Sequence, residues 1–206
     1  LNLKYLFGRG FKHRDIMDQV NLRISVSGIR GKSSVVKHIE RKLRSQGYDT
    51  IAKVTGDDPY ILHNGKRINI DRRGKRTMQY ENHKVAASII QESVESDGPV
   101  ATVLENQGIT EYTTRMFNER FSRSDIVVIT NIRTDHADTM GKYSDATRCF
   151  ARSVNSPRKV VLCEQNKPTA DYLRSQLEDY GSTVEQVEVP NKHEDLIASE
   201  TIHGVN

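Results

Sequence analysis

Hydrophobic residues along this chain follow two periodicities that alternate from one end to the other. Short runs that are β-branched or continuously apolar predict strands at 22–26, 50–54, 100–105, 125–131, 159–164 and 183–189. Apolar residues at helical spacing lie between these runs; the first such helix carries Val35, Val36, Ile39 and Leu43 and ends at Gly47. Strands that alternate with helices of this length predict an α/β fold with a doubly wound, mainly parallel sheet.

One segment interrupts the alternation. Residues 61–70 form two alternating runs on either side of Asn64 and Gly65. An Asn-Gly pair in this position is a strong signal for a type I′ turn. We therefore expect a β-hairpin inserted into the α/β plan. Farther along, a helix is predicted around Tyr112, Met116 and Phe117, and we expect these three side chains in the core.

The composition fits a globular protein and limits the choice of partners. Of the 206 residues, 28% are charged and 35% are hydrophobic, and no run approaches the roughly 18 apolar residues of a membrane helix. The formal net charge of +4 permits an anionic ligand but does not require a nucleic-acid surface. Cys149 and Cys163 lack metal-binding spacing, so we expect a reducing cytosol and two buried, apolar cysteines.

The first candidate for chemistry is the stretch SGIRGKSS, residues 27–34, which joins a predicted strand to a helix. Its Gly31-Lys32-Ser33 matches the end of the phosphate-binding pattern G-x-x-x-x-G-K-[ST], although Val26 stands where that pattern has its first glycine. A helix N-terminus also favours an anion. The alternative is a flexible turn with a solvated Lys32, which does not explain why a lysine and hydroxyls open the helix in that order.

Polar residues follow two other strands at the edge where ligands of doubly wound sheets collect. Glu105 ends one strand and can either ligate magnesium or stabilise a helix N-terminus. Asn131 ends another strand, and the loop after it holds His136 between Asp135 and Asp138. A loop histidine is commonly just solvated, but two flanking acids make it a candidate metal ligand or base. Together with the glycine loop, these residues predict a nucleotide–metal site.

The motifs in order resemble a known family. They are VSGIRGKSSV (26–35), KVTG (53–56), VLENQ (103–107) and ITNIRTDHADTMG (129–141). They are similar to the ATP-binding central domain of the Mur ligases, and most of all to the ATPase subunit of poly-γ-glutamate synthase, of the capsule-biosynthesis type. The resemblance covers residues 21–190. It implies a P-loop NTPase fold, flanked by a basic N-terminal extension (1–20) and a C-terminal tail (191–206) where a further region begins.

The resemblance also implies a reaction and roles for individual residues. ATP would activate a carboxylate as an acyl phosphate, and an amine would then attack to give an amide. Lys32 would hold the phosphates and act in catalysis with His136, while Ser33, Glu105 and His136 would bind Mg²⁺. Asn131 would orient the site. The full nucleotide-binding set implied in this way is Gly28, Ile29, Arg30, Gly31, Lys32, Ser33, Ser34 and Asn131.

Two departures from the family pattern bear on this interpretation. Ala151 and Arg152 lie where many members carry a carbamylated lysine, and the poly-γ-glutamate branch also lacks it. Family members continue beyond a region of this kind, so we expect residues 1–206 alone to bind ATP weakly, as a fragment or as a chain that needs a partner. The implied partners are a carboxylate substrate such as glutamate, a membrane-protein subunit and further copies of the chain, but no nucleic acid. We expect a cytoplasmic location, with membrane association through a partner or a removed N-terminal segment left open.

The sequence leaves open two other functions, and it leaves open the roles of the basic run at 72–76 and of Lys53 and Thr55. A P-loop kinase or NTPase would use a hydroxyl or water as acceptor, and a basic module would bind a polyanion through residues 72–76. Such a basic run is more often a solvated loop, and its few aromatic neighbours argue against stacking on single strands. Lys53 and Thr55 end the second strand, where they either contact the acceptor carboxylate or only pack.

Overall fold

A computed structural model describes the fold of this protein at residues 12–56, 58–70, 79–133, 141–156, 158–163 and 166–187. In these ranges eight strands pair in the order β4-β3-β2-β5-β1-β6-β7-β8. Their bounds are β1 (Leu22–Ser27), β2 (Asp49–Val54), β3 (Tyr60–His63), β4 (Lys66–Asn69), β5 (Val100–Glu105), β6 (Ile126–Ile129), β7 (Lys159–Leu162) and β8 (Thr183–Gln186). Every pairing is parallel except β2–β3 and β3–β4.

Helices cover both faces of this sheet. They are α1 (Lys32–Ser45), α2 (Gln79–Val94), α3 (Glu111–Met116), α4 (Tyr143–Ala151) and α5 (Lys167–Asp179), and a π-helical turn, Phe117–Phe121, continues α3. Helix α1 packs on one face through Val36 and Leu43. Helices α2, α4 and α5 pack on the other face. Successive strand residues point to opposite faces, so Ile51 lies in the cluster under α2 whereas Ala52 lies in the cluster under α1. The predicted doubly wound, mainly parallel sheet is confirmed.

The predicted hairpin is also confirmed. His63 of β3 pairs with Lys66 of β4 across a two-residue turn formed by Asn64 and Gly65. Their φ values are 50° and 76°, and a type I′ turn requires φ above zero at both positions. The hairpin adds two antiparallel strands to the sheet edge beside β2.

Some predicted details differ in the structure. Tyr112, which we predicted in the core, is 64% exposed, whereas Phe117 is buried. The reason is that the inward side of α3 is set by the buried Thr114: Phe117 lies three residues from it on the same side, and Tyr112 lies two residues away on the other. Cys149 is buried and Cys163 is partly buried, and burial raises the pKa of both thiols.

The segment before β1 packs on the sheet as well. Residues 12–17 are helical, and Met17 and Val20 are buried in the cluster that contains Ile51 and Ile90. Part of the predicted N-terminal extension therefore contributes to the core beneath α2. None of the helices in the described ranges combines the length and the apolar character needed to cross a bilayer.

Candidate nucleotide-binding site

Three strand ends meet at the centre of the sheet. Strand β1 lies between β5 and β6 and runs parallel to both. The glycine loop follows β1, Glu105 ends β5, and Asn131 comes two residues after β6. The topology thus brings the sequence-predicted residues of these three segments to one edge, the edge at which open α/β sheets bind ligands.

The loop backbone requires its two glycines. Gly28 has a φ of 124°, and a Cβ at this position would lie 2.2 Å from Oγ1 of Thr130. Gly31 has a φ of 79° and precedes the first residue of α1. Both φ values lie where side-chain-bearing residues are strained. Between the glycines, the Ile29 side chain is buried in the core, which fixes the loop to the domain.

The strand-end residues after β6 hold the loop from the side. Asn131 Oδ1 accepts a hydrogen bond from Arg30 N at 3.0 Å, and Asn131 Nδ2 donates to Arg30 O at 3.1 Å. Thr130 Oγ1 donates to the same carbonyl at 2.8 Å. Ile29 N donates to Asn131 O at 3.0 Å. The contacts of Asn131 are therefore with the backbone of the loop, whose shape they fix.

Lys32 lies over the loop at the start of α1. Its Nζ donates to Gly28 O at 3.0 Å and to Ile29 O at 3.2 Å, so the ammonium is held against the carbonyl groups of the loop. In the described part of the chain no side chain caps this helix N-terminus. The N–H groups in the first turn of a helix have no acceptors within the helix, and the positive end of the helix dipole lies beside them. The glycine loop and the start of α1 therefore form a cradle that fits a phosphate.

Glu105 joins the loop to the neighbouring strands. Its side chain is buried, and its Oε2 accepts hydrogen bonds from Ser33 Oγ at 2.9 Å and from Thr55 N at 3.1 Å. A hydroxyl and a carboxylate supply the hard oxygen ligands that Mg²⁺ prefers, so this pair fits the metal. No group of three or more His, Cys, Asp or Glu side chains that could hold a metal lies among the described residues.

Of the two sequence-based alternatives for Lys53, the structure agrees with packing inside the protein. Its side chain is 0% exposed, so the ammonium cannot contact a substrate in this structure, and the proposed contact with an acceptor carboxylate is wrong for this residue. Its Nζ donates to Glu105 O at 3.1 Å and lies 4.7 Å from the centroid of the Phe117 ring. Burial lowers the pKa of Lys53 to about 7, and the charge of Glu105 opposes that decrease.

A buried amide network supports the site from the far side of the sheet. Asn106 Nδ2 donates to Ser27 Oγ, Thr114 O and Asn118 Oδ1 at 3.0–3.2 Å, and Asn106 Oδ1 accepts from Gly108 N. Sequence reasoning missed these roles. The signal at Asn106 is a polar residue directly after a buried strand, whereas Asn118 has no local signal because its partners are distant in sequence.

Other sequence-based candidates fall outside the described residues. His136, Asp135 and Asp138 lie in the range 134–140, and the basic cluster lies in the range 71–78. The metal and catalytic roles of His136 therefore remain predictions from the motif.

Comparison with solved structures defines the fold. E. coli FolC in complex with ADP matches 86% of this chain with a TM-score of 0.63 at 15% identity, over 45% of its own length. The bifunctional folylpolyglutamate synthase/dihydrofolate synthase of Yersinia pestis, complexed with AMPPNP and a Mn ion, matches 88% of the chain with a TM-score of 0.63, over 46% of its length. The fold is that of the Mur ligase-type enzymes to which these solved structures belong. The resemblance read from the motifs is confirmed.

Two curated proteins are similar to this chain in sequence. The PGA synthase CapB of Bacillus subtilis is 27% identical over 188 residues, which cover 79% of this chain and 47% of the relative. The capsule biosynthesis protein CapB of Bacillus anthracis is 22% identical over 173 residues, 84% of this chain and 36% of the relative. The chain thus spans half or less of the length of these relatives. No family model matches it.

Proposed function

We propose that this domain binds ATP with Mg²⁺ and serves a carboxylate–amine ligase that makes poly-γ-glutamate. The observation that carries the proposal is the contact between Ser33 of the glycine loop and the buried Glu105, at 2.9 Å. This contact places a hydroxyl and a carboxylate beside a phosphate cradle. The relatives named PGA synthase CapB and capsule biosynthesis protein CapB, and the neighbours solved with ADP or with AMPPNP and Mn, support the same proposal.

The chain's own residues supply positioning and charge. The N–H groups at the start of α1 and the Lys32 ammonium bind the phosphates, and Asn131 fixes the shape of the loop through its hydrogen bonds with Arg30 N and Arg30 O. Ser33 and Glu105 hold Mg²⁺, which neutralises phosphate charge when it is bound. His136 is proposed as the ligand of a second metal. Phosphoryl transfer needs this kind of preorganised electrostatics more than it needs covalent help from the protein.

The proposed reaction has two steps. A carboxylate oxygen of the acceptor attacks the γ-phosphorus of ATP, the bond from that phosphorus to the β–γ bridging oxygen breaks, and ADP leaves. The amine of the incoming amino acid then attacks the acyl carbon, loses a proton and expels phosphate. Glutamate is the proposed substrate for both parts, because one relative is named a PGA synthase. A membrane-protein partner subunit and self-association belong to the same proposal.

Phosphate release separates this ligase from a P-loop kinase or a plain NTPase. In the full-length protein with MgATP, we expect phosphate release to need an acid and an amine together, with glutamate among the active pairs. Hydrolysis that proceeds equally well without either organic substrate would favour an NTPase. Transfer of the phosphoryl group to a stable hydroxyl acceptor would favour a kinase.

Replacing Glu105 with glutamine tests the metal assignment. The amide oxygen can still accept from Ser33 and Thr55, so we expect the fold and the metal-free affinity for AMPPNP to be unchanged. An amide is a poorer ligand for a hard cation, so the Mg²⁺ concentration for half-maximal AMPPNP binding should rise by roughly tenfold or more. Calorimetric titrations at several Mg²⁺ concentrations measure this shift.

Glu111→Gln is the matched control, because it makes the same change in an acid that lies on the surface of α3 and pairs with Arg115 and Arg152. It should leave the Mg²⁺ requirement as it is in the parent. A parent-like Mg²⁺ requirement in Glu105→Gln would reduce Glu105 to a support for the loop.

A further inference from the structure

The hydrogen bonding between β2 and β5 departs from the regular parallel pattern at the carboxyl ends of the two strands. Asp49 N donates to Pro99 O at 2.9 Å, and the register continues to the pair Lys53 and Leu104. Parallel ladders repeat every two residues. Three steps of two residues lead from Asp49 to Thr55 along β2 and from Pro99 to Glu105 along β5. The first main-chain hydrogen bond beyond the register would therefore run from the N–H of Thr55 to the carbonyl of Glu105.

The structure replaces that bond by two others. The N–H of Thr55 donates to the Glu105 carboxylate, with 3.1 Å between N and Oε2. The Glu105 carbonyl accepts from Lys53 Nζ instead, also at 3.1 Å. The Lys53 ammonium thus takes the acceptor that the regular ladder would assign to Thr55 N. Because this acceptor is occupied, the Thr55 N–H is available to the side chain of Glu105.

The surroundings of Lys53 support a specific role for this contact. A fully buried ammonium is costly, and a hydrophobic residue of similar volume would pack in this part of the sheet without that cost. The Phe117 ring, 4.7 Å from Nζ, offers a favourable face to the cation. Both the cation and its carbonyl acceptor lie at the strand end that carries the metal-binding candidate Glu105, whose side chain is itself buried.

We propose that Lys53 is a positioning residue for the Glu105 carboxylate. By holding the main-chain carbonyl of Glu105, it reserves the Thr55 N–H for Oε2 and so keeps this oxygen beside Ser33 Oγ. The proposal rests on the proposed function in one respect only, namely that Glu105 serves a metal. The rearranged ladder itself can be tested without metal or nucleotide.

Lys53→Met tests the proposal, since it replaces the buried cation with an unbranched apolar chain. Without the ammonium, the Thr55 N–H is expected to return to the Glu105 carbonyl. In nuclear magnetic resonance spectra, Glu105→Gln should therefore shift the Thr55 amide resonance in the parent but leave it unmoved in the Lys53→Met background. If the shift caused by Glu105→Gln is the same in both backgrounds, the proposal is overturned.

The second measurement is the Mg²⁺ dependence of AMPPNP binding. The Mg²⁺ concentration for half-maximal AMPPNP binding should rise roughly tenfold in Lys53→Met, with metal-free AMPPNP binding unchanged. It should rise no further when Lys53→Met is added to Glu105→Gln, because both changes act on the same carboxylate. Independent effects that multiply in the double variant would contradict the proposal.

Two further variants keep the test decisive. Thr102→Val is the matched control: Thr102 is buried in β5, its Oγ1 has no hydrogen-bond partner within the described structure, and the variant should change neither readout. Lys53→Leu, a second replacement by an apolar side chain without a donor, should give both expected results if Lys53→Met folds poorly. A parent that binds AMPPNP without any Mg²⁺ dependence would overturn the proposed function, while the Thr55 amide resonance would still decide the role of Lys53.

Discussion

Replacing Lys32 with alanine is expected to weaken the binding of Mg²⁺–AMPPNP by roughly 10²-fold or more, because charge-assisted contacts to two phosphates are lost. The fold should survive, since the lysine makes its described hydrogen bonds to the loop carbonyls of Gly28 and Ile29 while Ile29 stays anchored in the core. Calorimetry measures the affinity, and circular dichroism with thermal melting checks the fold.

The control for this change is Lys37→Ala, which removes the same charge from the exposed side of α1. It should bind Mg²⁺–AMPPNP as the parent does. Equal affinities of Lys32→Ala and the parent would show that the glycine loop does not bind phosphates. Equal losses in both variants would indicate a general effect of net charge.

His136→Ala is expected to spare nucleotide binding and to slow phosphoryl transfer. If His136 holds a second metal against the γ-phosphate, its removal takes away one preorganised electrostatic contact of the transition state, and losses of roughly 10²-fold or more are typical of such contacts. Single-turnover measurements in the full-length protein, with glutamate present, separate the chemical step from binding.

His38→Ala is the comparison for His136→Ala, because His38 lies exposed on α1. It should turn over at the parental rate. Parental single-turnover rates in His136→Ala would assign the segment 135–138 a structural role. A loss confined to AMPPNP affinity would mean that His136 contributes to ground-state binding only.

The parts of the fold that the sequence predicts are those encoded by local patterns. The Asn64-Gly65 pair specifies its turn through backbone conformation alone, and the alternation of strands with helices specifies a parallel sheet. The motif from Gly31 to Ser33 lies at the start of α1, after the loop that follows β1, as predicted. Because parallel strands end at one edge, the proximity of Ser33 to Glu105 follows from topology, although they are 72 positions apart.

What the sequence does not predict depends on contacts between distant segments. The burial of Lys53 depends on how β2 meets the Phe117 ring and the end of β5, and a lysine in a strand otherwise suggests exposure. Asn118 joins its network through partners as far away as Ser25. The pattern misplaces Tyr112 because a helix of six residues contains too few turns to define its buried side.

If a carboxylate is activated by phosphoryl transfer from ATP, one oxygen of that carboxylate must end in the released phosphate. Glutamate labelled with heavy oxygen in its carboxylates would be incubated with unlabelled water, MgATP and the full-length protein, and the released phosphate would be analysed by mass spectrometry. Each phosphate released with amide formation should carry one heavy oxygen from the acceptor carboxylate. Phosphate that takes its new oxygen from water instead would show that ATP is hydrolysed and that no acyl phosphate forms.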